Sequence, residues 1–529
     1  MRLLHAVCIT PSNAPLRHSR HSLHGGQLLL THYSGALPGV LKEIGGLADE
    51  IVLDTRCLPR DPSTTGRALA RCCRLGTRLQ ITGPMVLHPN LENALKPAGF
   101  VAQAGAVAGN TWVYAPHWQQ RSAVAPDAAG KHSQGCAMVV GAGLAGAAVA
   151  ASLARRGWRV CVLDAQAPAS GASGVPVGLL VPHTSKDHSV LSRISAAGLA
   201  ATWAQVRGLL KQGPDWQQNG VQQCAPVALA ASGSGPHAHA TAQWHASGGW
   251  VKPARLVHAW LAQPGIAVQS GCPVARLAPP DAEHAQWRAL DDAGDELARA
   301  SLMVLAAGFA SQALLSDLAL NGTASTALPG LPRMPLLQAI RGQVTWGSYS
   351  ATGALLPLLP ATPQNGHGSL IAGVPADTSC EGVAGDAKAT ELRWFCGATY
   401  QRDAQNLAPR LADQQANLAR LPVLLPATGA ALATAVADTA LHAWVGIRCA
   451  SRDRLPVVGP VPGWSCLQSG EATGQTNAPG LWLCTALGSR GLSYAALCAE
   501  LLAARLHQEP LPLPASLARH LFIERRSRY

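Results

Sequence analysis

Hydrophobic and polar positions along the chain form short blocks, and the clearest series begins at residue 137. The unbroken apolar run 137–140 predicts a buried strand, and a glycine-rich turn follows it directly. The alanine-rich stretch 143–156, which is uncharged as far as Ala154, predicts a helix, and 159–164 predicts the next strand. Further apolar runs predict strands at 302–306, 444–448 and 481–485 and a last helix over about 491–506. This order indicates an α/β fold in which helices cover a layer of strands.

The first part of the chain shows the same alternation as a separate unit. Residues 50–54 predict a strand that ends in an acid, 65–75 predict a helix, and 78–82 predict another strand. The Pro- and Ala-rich sequence 123–130 is typical of a linker. We therefore expect an α/β unit over 1–127, which has no glycine-rich turn before its first acid.

The second unit, over 133–529, divides by pattern into a regular layer and a less regular lobe. The layer is expected at about 136–230, 298–320 and 441–508. Tryptophan- and glycine-rich stretches with mixed patterns interrupt it. They predict an inserted, mixed α+β substrate lobe at about 231–297 and 330–440.

Composition narrows the class of protein. A chain of 529 residues that is 48% hydrophobic has material for more than one core, which excludes a disordered or fibrous chain. The fourteen cysteines include the adjacent pair Cys72 and Cys73 but no C-x-x-C spacing, and this favours reduced thiols and a cytoplasmic location. The apolar stretch from Met1 to Cys8 is too short for an export signal.

The formal net charge of +12 is carried mainly by arginine. An arginine-rich surface suits a phosphate-bearing partner such as a nucleic acid. A genome rich in Ala, Gly, Arg and Pro codons explains the same excess equally well. Charge alone therefore leaves both interpretations open.

Three other classes of site or segment fit the sequence poorly. The uncharged stretch from Cys136 to Ala154 is long enough for a membrane span, but Gly and Ala dominate it and it begins as a strand and turn, so we expect no membrane segment. His237, His239 and His245 lie in a loop without a carboxylate, so we expect no metal. No G-x-S-x-G hydrolase turn follows a predicted strand.

The strongest chemical signal is the turn Gly141-Ala142-Gly143-Leu144-Ala145-Gly146 between the first strand and its helix, with Asp164 at the end of the next strand. This arrangement is the dinucleotide-binding fingerprint. Gly141 permits the tight turn, Gly143 lets the backbone approach a pyrophosphate, and Gly146 lets the helix pack close to the strand. The helix N-terminus offers free N–H groups to phosphates, and Asp164 is expected to accept hydrogen bonds from ribose hydroxyls.

The sequence after Asp164 favours FAD over a nicotinamide dinucleotide. A Pro/Ser/Gly loop, 167–178, replaces the further strand–helix units that a nicotinamide enzyme usually has. The next strand of the layer, 302–306, is followed by Gly308, and a last turn runs from Gly488 to Gly491 before the final helix. Such dispersed contacts suit a long cofactor, and this helix N-terminus would stabilise negative charge on a flavin ring.

Residues 136–529 resemble the FAD-dependent D-amino-acid oxidase and glycine oxidase group. More closely, they are similar to the oxidoreductase half of the bacterial bifunctional 5-methylaminomethyl-2-thiouridine biosynthesis proteins. The matching stretches, in order, are 139–143, 172–180, 248–253, 341–343, 397–403, 446–456 and 488–492. One departure is Val175, where the family pattern carries a polar Asn.

The resemblance extends in part to the N-terminal unit. Residues about 20–117 resemble the second half of that family's methyltransferase domain, with 54–62 standing where the domain has an Asp-Gly-Phe-Ala/Ser-Pro motif. The glycine motif for S-adenosylmethionine would lie upstream, where this chain has no room for it. We expect a truncated unit without methyltransferase activity.

The resemblance also implies a substrate and site residues. The substrate would be 5-carboxymethylaminomethyl-2-thiouridine at the tRNA wobble position, bound with the anticodon stem-loop, and the product would be 5-aminomethyl-2-thiouridine. Arg448 is expected to hold the substrate carboxylate, while Arg490 would bind carboxylate, phosphate or flavin O2. The remaining FAD contacts implied by the motifs are Ser173, Gly308, Gly488, Gly491 and Leu492.

Alternatives remain at three points. Arg448 could instead form a structural ion pair with Asp453 or Glu391, and Tyr400 could line the pocket or simply pack as an aromatic residue. The protein could oxidise a free small amine such as glycine or sarcosine. It could also be a non-catalytic tRNA-binding protein whose FAD site has decayed.

Overall fold

The structure, a computed structural model, describes residues 3–525 with gaps. The gaps are residues 13, 15, 24–26, 60, 84–89, 104–109, 119–134, 186, 225–242, 282, 322–335, 378–390, 438, 463 and 465–479. The predicted linker, His237, His239 and the last four residues therefore lie outside the described residues.

The N-terminal unit contains two small sheets with short helices packed on them. Its strands are β1 (Leu4–Pro11), β2 (Arg17–Leu23), β3 (Leu28–Gly35), β4 (Ala48–Asp54), β5 (Cys73–Thr82), β6 (Phe100–Ala102) and β7 (Thr111–Tyr114). Its helices are α1 (Leu37–Glu43), α2 (Thr65–Ala70) and α3 (Leu91–Leu95). The strand orders are β1-β3-β2 and β4-β5-β7-β6, and the unit has its own apolar core.

The helix predicted over 65–75 is shorter than expected. It ends at Ala70, because Cys73 already pairs with Ala48 at the start of β5. The Cys73 thiol donates to the Leu69 carbonyl at 3.2 Å and so remains against the end of the helix. The neighbouring cysteines therefore mark a helix-to-strand junction.

The second unit carries the remaining elements. Its strands are β8 (Cys136–Val140), β9 (Arg159–Asp164), β10 (Gly178–Leu180), β11 (Trp216–Gln217), β12 (Val221–Gln223), β13 (Gln243–His245), β14 (Gly249–Val251), β15 (Ile266–Ser270), β16 (Arg276–Ala278), β17 (Trp287–Leu290), β18 (Glu296–Ala300), β19 (Leu302–Leu305), β20 (Leu337–Ser350), β21 (Gln364–Gly366), β22 (Gly368–Pro375), β23 (Glu391–Gly397), β24 (Gln401–Arg402), β25 (His442–Ser451), β26 (Val457–Pro460) and β27 (Gly480–Thr485). Its helices are α4 (Leu144–Ala154), α5 (Val190–Leu209), α6 (Pro253–Leu261), α7 (Ala310–Asn321), α8 (Leu411–Leu418), α9 (Leu421–Leu424), α10 (Gly429–Ala437), α11 (Gly491–His507) and α12 (Ala515–Ala518).

A six-stranded sheet of order β15-β9-β8-β19-β27-β26 forms the nucleotide-binding layer. All of its neighbouring strands pair in parallel except β26, which runs antiparallel to β27. The central strands are apolar throughout, as expected for strands buried on both faces. Helix α11 packs against α4 and α5 on one face, so it covers the helix that follows the glycine turn.

An eight-stranded sheet forms the second lobe. Its order is β13-β12-β21-β22-β23-β20-β24, and β25 pairs with the other edge of β20. The long strand β20 pairs with β25 from Leu337 opposite Ser451 to Trp346 opposite His442. On its other side β20 pairs with β23 and then with β24. The remaining sheets of the second unit are two three-stranded sheets, of order β10-β14-β11 and β16-β17-β18.

The segment boundaries differ from those expected at three places. Strand β15 lies within the stretch 231–297 expected in the lobe, but it pairs with β9 at the edge of the six-stranded sheet. Strands β12 and β25 lie within stretches expected in the layer, but both belong to the eight-stranded sheet. An exposed edge strand such as β15 lacks the apolar run by which buried strands are recognised.

The two units are joined by a buried cluster of charges. Arg156 donates to Glu509 at 2.7 Å and to Glu500 at 3.1 Å. Arg155 also reaches Glu500, at 2.8 Å, and Arg20 of β2 lies 3.5 Å from the same carboxylate. The arginines hold the pKa of Glu500 well below its usual range, although burial alone would raise it. The N-terminal unit thus contributes a charge to an ion cluster in the second unit.

Candidate active site

The two ends of the second unit meet in one cavity of about 1270 Å³, between the six-stranded and eight-stranded sheets. It lies at the carboxyl ends of β8, β9, β19 and β27, the edge at which open α/β sheets bind ligands. The predicted residues on its wall are Gly141, Gly143, Asp164, Ser173, Gly308, Arg448, Gly488, Arg490, Gly491 and Leu492. The early glycine turn and the late arginine-bearing turn therefore share one site.

The glycine turn has the conformation that its sequence predicts. Gly141 has φ +109°, and a Cβ there would stand 2.6 Å from the Ala306 carbonyl oxygen at the end of β19. A Cβ at Gly146 would collide with the carbonyl oxygen of Gly141. Gly146 lies behind the cavity wall, so its part is to let α4 pack against the turn rather than to contact a ligand.

Asp164 is held by the backbone of the turn. Its Oδ2 accepts from the Ala142 N–H at 2.6 Å, and its Oδ1 accepts from the Gln166 N–H at 2.9 Å. A carboxylate oxygen has a second lone pair, so both oxygens remain able to accept a ribose hydroxyl. The bonds fix the direction in which the carboxylate faces the cavity.

Ser173 has a contact that sequence reasoning did not find. Its Oγ accepts from the Leu144 N–H at 2.9 Å, in the first turn of α4, although the two residues are far apart in the chain. The bond caps the helix N-terminus and leaves the hydroxyl proton free to donate to an anion. The pattern of a serine within a glycine-rich loop is too common to signal such a cap.

The late turn closes the opposite wall. Gly308 has φ +58°, and its carbonyl accepts from the Thr485 hydroxyl at 3.0 Å, which joins the ends of β19 and β27. Gly488 has φ +59°. A Cβ at Gly491 would lie 3.3 Å from Leu144, so this glycine allows the start of α11 to approach α4.

Arg448 faces the cavity from the middle of β25. Its guanidinium lies against Gly342 of β20, where an added Cβ would be 2.6 Å from Nη2. Its one hydrogen bond among the described residues is a long one, from Nη1 to the Thr399 carbonyl at 3.4 Å. Burial lowers the pKa of Arg448, and the nearby Tyr400 offsets this effect only in part.

The alternative in which Arg448 forms a structural ion pair is not what the structure has. Asp453 is bonded to Arg525, with Nε 2.8 Å from its Oδ2, and also accepts from Ser451. Glu391 is exposed and makes no ion pair with Arg448 in the described part of the chain. A guanidinium in a cavity without its own carboxylate is arranged to receive an anion.

Arg490 meets a histidine that the sequence did not single out. Its Nη2 lies 3.3 Å from Nδ1 of His183. Burial, and secondarily the charge of Arg490, lowers the pKa of His183, so the imidazole is neutral near pH 7 and accepts from the guanidinium. His183 belongs to no recognisable sequence motif, because it comes close to Arg490 only in the folded chain.

Trp444 is a further wall residue without a predicted role. It lies two residues from Gly446 on β25, and a Cβ at Gly446 would overlap its ring. A Cβ at Gly174 would lie 3.7 Å from its Nε1, which places the indole beside the Ser173 loop. Val175 also lines the cavity.

The expectations of no metal site and no membrane segment can be compared with the described residues only. His245 is buried, with a pKa lowered by burial, and belongs to β13. No group of three metal-ligating side chains occurs in the described part of the chain. Among the described helices, none is both long and apolar enough to cross a bilayer. The cysteines that the structure describes are all free thiols.

The residues of the cavity fit an FAD molecule. The first turn of α4 presents backbone N–H groups, Gly143 leaves that turn open, and Asp164 stands at the end of the neighbouring strand. A profile of the FAD dependent oxidoreductase family matches residues 137–505. The fold and the site therefore define an FAD-dependent oxidoreductase.

Relatives narrow the class further. The chain is 41% identical to the tRNA 5-methylaminomethyl-2-thiouridine biosynthesis bifunctional protein of Polaromonas sp., over 94% of this chain and 77% of the relative. It is 41% identical to the protein of the same name from Albidiferax ferrireducens, over 95% and 80%. The chain belongs to this family of bifunctional tRNA 5-methylaminomethyl-2-thiouridine biosynthesis proteins, as the sequence motifs predict.

Solved structures agree on the fold. Fructosamine oxidase from Aspergillus fumigatus superposes with a TM-score of 0.53 at 14% identity, over 74% of this chain and 90% of that one. L-proline dehydrogenase from P. horikoshii gives a TM-score of 0.51 at 12% identity, over 73% and 98%. At these identities the likeness concerns the fold alone, and it confirms the predicted Rossmann-like layer with an inserted lobe.

Proposed function

We propose that this chain removes the carboxymethyl group of 5-carboxymethylaminomethyl-2-thiouridine at the tRNA wobble position by FAD-dependent oxidation. The product would be 5-aminomethyl-2-thiouridine. Family membership supports this product, because the relatives are named for the biosynthesis of 5-methylaminomethyl-2-thiouridine, which is the N-methylated derivative of the product. The net charge of +12 supports a tRNA partner, which we expect to be held by its anticodon stem-loop.

The observation that carries this proposal is the guanidinium of Arg448, which lies in the cavity without a carboxylate partner among the described residues. The substrate contains an N-substituted glycine, and a carboxylate is the group that a cavity arginine binds in two-point fashion. Binding there would orient the glycine α-carbon relative to the rest of the site. Arg490, held by neutral His183, offers a second cation on the same cavity wall.

The reaction balances with the groups at hand. FAD, when bound, would accept the hydride that leaves the glycine α-carbon, and an external electron acceptor such as oxygen would be needed to reoxidise it for the next turnover. The amine N–H proton is lost to solvent, and the resulting carbon–nitrogen double bond is hydrolysed by water to the aminomethyl nucleoside and glyoxylate. Arg448 would hold the carboxylate throughout, and no side-chain base is required if the amine binds neutral. The protein's contribution is then orientation and charge stabilisation.

The test uses the purified, flavin-loaded protein and tRNA isolated from cells that lack its activity. Mass analysis of wobble nucleosides should show loss of the carboxymethylaminomethyl form, and glyoxylate should appear in equal amount. Arg448→Ala should retain flavin and lose turnover. Arg159→Gln is the matched control, because Arg159 is exposed at the amino end of β9, away from the cavity.

Two results would contradict the proposal. One is an unchanged nucleoside profile with active, flavin-loaded protein. The other is an Arg448→Ala variant with unaltered turnover and Michaelis constant, since the carboxylate would then be bound elsewhere.

A further inference from the structure

A second arginine stands in the same row of the eight-stranded sheet as Arg448. Ile340 of β20 is paired with Arg448 of β25 on one side and with Arg402 of β24 on the other. Directly paired residues on neighbouring strands point to the same face, and all three residues line the cavity. Two strand spacings place the backbones of the two arginines about 10 Å apart.

The row runs from the inside of the cavity to its rim. Arg448 is half-buried, whereas Arg402 is exposed. Tyr400, next to β24 on the same wall, is 54% exposed and lies close enough to Arg448 to raise the pKa of that arginine. The described residues give the Arg402 guanidinium no hydrogen bond or ion pair, although Asp403 follows it in sequence.

The cavity wall as a whole is strongly cationic. Among the described lining residues the arginines are Arg402, Arg448, Arg454 and Arg490, and the one carboxylate is Asp164. Asp164 is engaged by the Ala142 and Gln166 amides at the carboxyl end of β9. The excess of positive charge therefore has no counterpart in the wall itself.

We propose that Tyr400 and Arg402 recognise the ribonucleotide chain around the substrate nucleotide, with Arg402 on a backbone phosphate and the Tyr400 ring against the nucleoside. This inference rests on the proposed function, in which Arg448 holds the substrate carboxylate. A small amine bound at Arg448 is too short to reach a residue two strands away. The pair therefore acts as a specificity determinant that selects an RNA-linked substrate over a free amine.

The chemistry of both side chains suits this role. Single-stranded RNA is recognised by aromatic side chains that stack on unstacked bases and by arginines on the phosphates. An exposed tyrosine beside an unpaired arginine combines the two contacts. Arg448 and Arg402 would then bind two groups of the same ligand, Arg448 its carboxylate and Arg402 its phosphate.

The experiment compares two substrates with the flavin-loaded protein: tRNA carrying the carboxymethylaminomethyl nucleoside, and that mononucleoside alone. Steady-state turnover is followed with a dye that accepts electrons from the reduced flavin, at several salt concentrations. Arg402→Gln should lower the ratio of kcat/KM for tRNA to kcat/KM for the nucleoside by about tenfold, the effect of one lost charged hydrogen bond. Its plot of log kcat/KM for tRNA against log salt should be shallower by about 0.7.

Four further variants separate recognition from a structural effect. Arg402→Lys should restore the salt slope because it keeps the charge, and Tyr400→Phe should keep kcat/KM for both substrates because it keeps the ring. Tyr400→Leu should lower kcat/KM for both substrates and leave their ratio unchanged, because both present the nucleoside that stacks on the ring. Arg159→Gln, which removes an exposed arginine outside the cavity, should leave ratio and slope unchanged.

The outcomes are distinguishable. An active protein whose substrate ratio and salt slope do not change in Arg402→Gln overturns the inference alone. So does an Arg402→Gln variant that is purified without flavin, because Arg402 would then contact the cofactor. A wild-type protein that oxidises neither substrate overturns the proposed function and, with it, this inference.

Discussion

The guanidinium of Arg448 lies flat against the backbone of Gly342 on the neighbouring strand. A Cβ at residue 342 would be 2.6 Å from Nη2 and 2.7 Å from Cζ, so no other residue leaves the guanidinium where it is. Gly342 is paired with Gly446, and the two glycines open the sheet face on which Arg448 and Trp444 lie. The position of the proposed carboxylate anchor is therefore set by a residue without a side chain.

Gly342→Ala is expected to displace the Arg448 guanidinium while leaving the FAD contacts intact. A displacement of about 1 Å at a substrate-holding group costs on the order of a hundredfold in kcat/KM. Flavin content and substrate kinetics of the purified variant test this together. Gly208→Ala is the control, because an added Cβ at Gly208, within α5, meets nothing within 4 Å. Unchanged kinetics in Gly342→Ala would show that the guanidinium position is unimportant.

Ser173→Ala removes the side chain that caps α4 at the Leu144 amide. Loss of such a cap lowers the free energy of unfolding by about 1 kcal/mol. FAD affinity should fall as well, because the hydroxyl and the ordered helix terminus both face the cavity. Thermal unfolding and equilibrium flavin binding measure the two effects.

Ser189→Ala is the matched control for Ser173→Ala. The Ser189 hydroxyl caps α5 by accepting from the Ser192 N–H, and Ser189 lies outside the cavity wall. The two variants should lose similar stability, but Ser189→Ala should bind FAD normally. Equal flavin affinities would mean that Ser173 is only a cap.

Local sequence patterns were sufficient for the central strands of the layer and for the glycine-turn half of the site. The turn Gly141–Gly146 and Asp164 could be predicted because the strand, turn and helix that carry them are contiguous, so steric and periodic constraints act within a few residues. Strand β15 could not, because four of its five residues are exposed at a sheet edge and leave no apolar run. The predicted end of α2, at residue 75, was wrong for a related reason, since the pairing of Cys73 with Ala48 decides where the helix ends.

The contacts that sequence reasoning missed all join residues that are distant in the chain. His183 touches Arg490, Gly342 admits Arg448, and Ser173 reaches Leu144. Such pairs depend on strand order and register, which one sequence does not encode in a local pattern. The absence of methyltransferase activity in the N-terminal unit stays a prediction.

The pKa of His18 is lowered to about 4 by burial and by Arg20. Its imidazole lies against Tyr33, with ring centroids 5.0 Å apart. The folded state thus resists protonation of His18, while the unfolded chain accepts the proton near the ordinary value of 6.5. The penalty is absent above that value and grows as pH falls towards 4, by at most about 1.4 kcal/mol per pH unit.

His18→Gln should therefore reduce the loss of stability between pH 6.5 and pH 4. The measurement is the free energy of unfolding in urea across this range, compared with wild type. His21→Gln serves as the control, because His21 is on the same strand but exposed. An acid-dependent loss identical in His18→Gln and wild type would rule out His18 as its source.

Arg156 is the centre of the charge cluster that joins the two units, and its removal is expected to be the most damaging of these changes. Arg156→Ala would leave the largely buried Glu500 and Glu509 carboxylates facing each other with much of their compensating charge lost. Breaking a buried pair in this way typically lowers the free energy of unfolding by about 3–5 kcal/mol.

Lys96→Ala, which removes an exposed pair with Glu92, should cost less than about 1 kcal/mol. Because Arg20 supplies charge to the same cluster from the N-terminal unit, Arg20→Ala should fall between them, as thermal unfolding of the full chain can measure. Equal, small losses in all three variants would mean that the cluster does not hold the units together.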